Sequence, residues 1–150
     1  VFDDIKDLIW VNASTPPIEI ILYLYLSPVA DKFENISKFP APDFVDKGCQ
    51  ELLFRSTWSI PTRAEMESYR RQSSIFNAQA MSVMVDEPAL SDCVVTHHMK
   101  GLYIDGKEVD LERKEDLSLT VESLQKLKSM HSGLYDLMYG AYKVEACLFT

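Results

Sequence analysis

His97 and His98 are adjacent in the chain, and with Cys93 they form its densest group of side chains able to bind a metal or move a proton. Neighbouring helical residues point about 100° apart, so the two imidazoles do not chelate one ion from one face. Cys93 and His97 are four residues apart and share a helical face, which gives half of a tetrahedral zinc set. Cys49, Cys147 or His131 would have to supply the other half, and none stands at a motif spacing. The simpler reading is a structural thiol and part-exposed imidazoles, with no metal. A Cys–His nucleophile pair has no more support, because no family signature surrounds any of the three cysteines.

Other chemistries leave equally little trace. There is no Gly-x-Ser-x-Gly elbow, and five scattered glycines (Gly48, Gly101, Gly106, Gly133, Gly140) make no phosphate loop. Carboxylate pairs such as Asp3–Asp4 lie in charged segments, where the raised pKa of an acid catalyst is not expected. No catalytic residue, metal or cofactor is expected.

Two groups of residues suit protein contact instead. Arg63, Arg70 and Arg71 place positive charge on a helix, for an acidic neighbour or for pairing with Glu67 within the helix. Tyr135, Tyr139 and Tyr142 recur at helical spacing, and tyrosine suits interfaces because it combines an apolar ring with a wet hydroxyl. The same stripe also suits a core.

Composition narrows the partner. With 47% hydrophobic and 11% aromatic residues the chain has what a folded core needs. A formal net charge of −8 argues against nucleic acid, whose backbone demands concentrated positive charge. The acids are spread along the chain, which weakens the alternative of an acidic adaptor or inhibitor that covers a basic surface of another protein. Three widely spaced cysteines suit a reducing compartment. The most apolar run, Ile18 to Leu26, is far shorter than the roughly 20 residues a membrane helix needs, and the start Val1–Phe2–Asp3–Asp4 lacks the basic region of a signal peptide. No membrane partner is expected.

The elements that would position these residues read as mainly α, with one small β-hairpin near 103–109. Six of seven prolines fall in the first 61 residues and cut that stretch into short pieces. Helices are expected at Phe2–Trp10, at Ile18–Leu26 (where β-branched and aromatic content also permits a strand), from Ser27–Pro28 to about Ser37, and from Asp43 to about Phe54. Thr62-Arg63-Ala64-Glu65 is a capping box. The helix it opens is expected to run to about Val83, with Met66, Tyr69, Ser73, Phe76 and Ala80 on one stripe. A helix from Asp86–Glu87–Pro88 should end before Gly101, and Asp105–Gly106 suits a type I′ turn. Leu117–Met130 and a helix capped by Ser132 and running through Leu148 complete the chain. The expected organisation is a proline-interrupted region at 1–57, an intersubunit arm, followed by a compact helical domain at 58–150.

Trp58-Ser59-Ile60-Pro61-Thr62-Arg63-Ala64-Glu65 opening a helix, then Ile104-Asp105-Gly106-Lys107 with Val109, then two terminal helices, resembles small helical tail-assembly and baseplate proteins of tailed bacteriophages. The resemblance covers residues 58–148 and assigns no function to any single residue. It implies a non-enzymatic structural or tail-assembly protein of the host cytoplasm or virion, partnered by copies of itself or by other tail components. A small enzyme built on Cys93 or His97 is the least supported reading.

Overall fold

The structure, a computed structural model, describes residues 15–131 and 133–148. Its first element is a strand, β1 (Ile18–Leu26), where helical spacing is expected. The residues follow a period of two: Ile20, Leu22 and Leu24 are buried on one face, while Glu19, Ile21 and Tyr23 alternate to the other. β-Branched and aromatic residues fit this pleat, and Pro17 before the strand and Pro28 after it confine the segment to strand length.

β1 lies between β2 (Phe33–Ser37) and β3 (Gln50–Trp58), antiparallel to both. Both partners fall where helices are expected. Of the predicted Asp43–Phe54 helix only a short turn, α1 (Pro42–Asp46), forms. Gly48, at φ +91°, ends it and sends the chain into β3. The five-stranded sheet has the order β2-β1-β3-β6-β7, completed by β6 (Met99–Ile104) and β7 (Lys107–Glu108). The protein is therefore mixed α/β, not mainly α and not a helical domain. The proline-broken stretch from which an arm is expected supplies three of these strands, and β3 pairs with β6 across residue 57.

Four further helices join the inner face of the sheet in one core: α2 (Arg63–Gln72), α3 (Glu87–His98), α4 (Val121–Lys128) and α5 (Leu134–Glu145). Leu22, Phe54, Trp58 and Leu102 from the sheet meet Leu90, Val94, Leu127 and Met138 from the helices. α1 packs on the other face, where Phe44 stacks on Tyr25 at 5.5 Å. The Tyr25 hydroxyl donates to Glu51 and accepts the Ala41 N–H, so this ring is buried although it points away from the main core.

Several local expectations hold. Thr62 Oγ1 accepts the Glu65 N–H at 3.2 Å and Glu65 Oε1 accepts the Thr62 N–H at 2.9 Å, a complete capping box. Asp86 caps α3. Asp105 and Gly106 both take positive φ in the turn that joins β6 to β7. The expected helix at Phe2–Trp10 and the Ser132 cap lie outside the described residues.

The largest local departure follows α2. The helix stops at Gln72, and the chain forms a separate two-stranded ribbon, β4 (Ser74–Asn77) and β5 (Ser82–Val85). The expected stripe divides there. Met66, Tyr69 and Ser73 are buried, whereas Phe76 and Ala80 are exposed.

Candidate functional site

The nearest thing to a catalytic constellation centres on His98, which is buried at the end of α3. Its Nδ1 lies 2.8 Å from Ser59 Oγ and its Nε2 lies 2.8 Å from the Tyr69 hydroxyl. Burial pushes the imidazole down to about 4, against the pull of the Glu65 carboxylate 3.6 Å away. A neutral ring has one donor and one acceptor nitrogen, so the two hydroxyls satisfy it fully. Burial is the largest single influence on Glu65 and would raise it, but the Thr62 N–H, the His98 imidazole and the Thr62 and Tyr69 side chains together outweigh it and hold the carboxyl below its ordinary range.

Ser59 and His98 have the spacing of a nucleophile and its base, yet Ser59 is held on every side. Its N–H donates to the His98 carbonyl, and its own carbonyl accepts the Tyr142 hydroxyl. The cluster braces β3, α2, α3 and α5 together. His97 stacks on the Tyr69 ring at 5.3 Å, and Cys93 lies 3.9 Å from Ser73 Oγ. Among the described residues no three His, Cys, Asp or Glu side chains gather to hold a metal ion.

The residues singled out for contact fall in different places. Arg63 is exposed and pairs with Glu67 at 3.1 Å across one helical turn. Arg70 and Arg71 lie in the last turn of α2, where cations complement the helix dipole. Tyr142 is fully buried and stacks on Trp58. Tyr135 and Tyr139 line a groove of about 490 Å³ with Glu87, Lys128 and Lys143. In this groove Tyr135 donates to Asp92, which also pairs with Lys128 at 2.8 Å. Burial first, then Glu87, pushes the Tyr139 hydroxyl up to about 12. The groove carries both signs of charge, already paired in part.

The ribbon is a different surface. Its register sets Phe76 opposite Val83 on one face and Ile75 opposite Met84 on the other, with Met81 at the turn. All five are exposed: Ile75 53%, Phe76 64%, Met81 78%, Val83 70% and Met84 48%. Other exposed large apolar residues, such as Val29, Phe39 and Leu117, are dispersed along the chain. From Gln72 to Val85 there is no charged residue, in a chain that is one-quarter charged.

The chain builds the ribbon on purpose-suited local chemistry. Asn77 Oδ1 accepts the N–H groups of Gln79 and Ala80, folding the turn, and Met81 takes φ 50° to re-enter β5. Asp86 N–H donates to the Ser73 carbonyl at 2.7 Å and closes the base. Val85 alone of the strand residues packs against the body's core. Lone two-stranded ribbons are marginal in water, and monomeric proteins rarely leave such a patch uncovered.

Sequence reasoning overlooked this surface because a 3.6-residue stripe can be drawn through Met66, Tyr69, Ser73 and Phe76. Two signals were present: fourteen uncharged residues in a row, and β-branched residues on both sides of Asn77–Met81.

No protein-family model matches the chain, and no curated protein or solved structure matches it. Among the described residues no helix is long and apolar enough to cross a membrane.

Proposed function

We propose that this chain is a non-enzymatic protein-interaction module that works by docking the β4–β5 ribbon on a protein partner. One observation carries the reading: an uncharged ribbon, apolar on both faces, stands outside the core of the domain that bears it. Apolar surface of this kind gains roughly 25 cal/mol for each Å² removed from water, so a covering partner stabilises it directly. The body, braced around His98 and Trp58, holds the ribbon at a fixed base.

The finer form of the proposal is assembly of a bacteriophage tail. Its support is local: a capped helix after Trp58, the Asp105–Gly106 turn and two terminal helices, the arrangement on which the resemblance rests.

Gel filtration of clarified extract from cells producing the chain tests the docking role. The wild type should elute as part of a larger species. Phe76→Asp combined with Val83→Asp should elute at the monomer position, with an unchanged melting temperature after purification. Identical elution of the two chains would overturn the proposal.

A further inference from the structure

Resting on that reading, we infer that the ribbon's partner is the ribbon of a second copy of this chain, joined in a two-fold contact.

The treatment of sheet edges carries the argument. An exposed strand edge presents unpaired N–H and C=O groups that invite another strand, and proteins protect such edges with short strands and charge. The main sheet does so at both ends. β2 carries Glu34, which pairs with Lys32, and β7 is two residues long, Lys107 and Glu108. The ribbon's two strands are also short, four residues each, but they lack the other protection, charge. Among the described residues β4 pairs only with β5, and no Lys, Arg, Asp, Glu or Pro interrupts the segment from Gln72 to Val85. A chain that guards one sheet and leaves the other open has a strand to receive at the open one.

Charge narrows the occupant. A partner that brought charged groups to the ribbon would bury them without counter-ions, a large penalty. The matching surface must be apolar, uncharged and provided with a free strand edge, and the ribbon itself meets all three conditions. Two copies of a chain with net charge −8 repel over most of their surface, and the ribbon is where that repulsion is weakest. A two-fold axis perpendicular to the ribbon would join like edges into a four-stranded sheet. Phe76 and Val83 of each copy would share one face, and Ile75 and Met84 the other. The contact is isologous, so it closes at two copies. A stable interface covers about 800 Å² on each partner, so the flanks of α2 and α3 nearest the ribbon's base should join the contact.

The test is the solution mass of the purified full chain, by light scattering behind size exclusion over a hundredfold concentration range. The wild type should show twice its 17.1 kDa chain mass at high concentration, in low and high salt. Phe76→Asp with Val83→Asp should show a single chain mass throughout. Circular dichroism checks that the variant keeps its fold. Deuterium uptake of the wild type provides a variant-free check: amides of 74–85 should exchange more slowly in the concentrated sample. A wild type that stays monomeric throughout would overturn the second-copy proposal. It would leave the docking role itself to the extract experiment, whose larger species would then hold a different protein. A dimer that persists in the double variant would place the contact elsewhere and also overturn it.

Discussion

Tyr142 lies on Trp58 with ring centroids 4.1 Å apart and planes 18° from parallel, and its hydroxyl donates to the Ser59 carbonyl at 2.7 Å. One side chain thereby ties α5 to the end of β3 by stacking and by a hydrogen bond. Both rings are closed to solvent. Trp58→Ala should cost about 3–5 kcal/mol of stability. Tyr142→Phe should cost about 1–3 kcal/mol, because it leaves a carbonyl without that donor. Urea unfolding of both variants beside the wild type measures this. A Tyr142→Phe variant as stable as the wild type would remove the hydroxyl from the account.

Acid should act first through His98. Its folded pKa of about 4 lies below the ordinary 6.5, so the folded state binds the proton less readily than the unfolded chain. The stability this group contributes is complete above pH 6.5 and is lost as pH falls toward about 4. Glu65, also lowered, adds a loss of the same sign further down, within and below the ordinary carboxylate range. The melting temperature should stay flat through this group above pH 6.5 and fall below it. His98→Gln, which keeps a polar amide among Ser59 and Tyr69, should flatten the upper part of that slope. An unchanged slope would place the acid sensitivity elsewhere.

The capping box at Thr62 positions both α2 and the ribbon that follows it. Thr62→Ala should cost about 1 kcal/mol, and Thr62→Ser should retain most of it. Thermal melts of the pair measure the difference, and equal losses in the two variants would show that the methyl, not the hydroxyl, matters.

Gly101 lies where a side chain would be crowded, and its backbone angle does not call for glycine. A Cβ there would stand 3.0 Å from Thr57 Oγ1 and 3.1 Å from the Tyr103 ring, which carries the Arg55 guanidinium on its face at 4.3 Å. Gly101→Ala should lower the melting temperature, and adding Tyr103→Ser should recover part of the loss. No recovery would assign the crowding to Thr57 alone.

Signals made within one turn of chain were legible in the sequence. The Thr62–Glu65 box, the helix start at Asp86–Glu87–Pro88 and the Asp105–Gly106 turn depend on neighbours a few residues away, and all three formed. Pairings over long separations were not. Ile18–Leu26 satisfies a helical stripe and a strand alternation equally well. What decides it is Leu52, Phe54 and Ser56, some thirty residues later, lying opposite Leu24, Leu22 and Ile20. The same holds for the site. Tyr142 suited an interface and a core equally, because spacing cannot show that Trp58 lies beneath it. Phe76 looked like core because a stripe cannot show that the helix stops at Gln72. The Ser59–His98–Tyr69 brace joins three distant segments, and no spacing rule reaches it.

The most direct test of the docking role is site-specific photo-crosslinking in the cells that make the chain. A photoreactive phenylalanine analogue replaces Phe76 in one sample and Val29, an exposed apolar residue outside the ribbon, in another. The account predicts one discrete crosslinked protein species from position 76 and none from position 29. Equal yields from the two positions, or no crosslink from either, would contradict it.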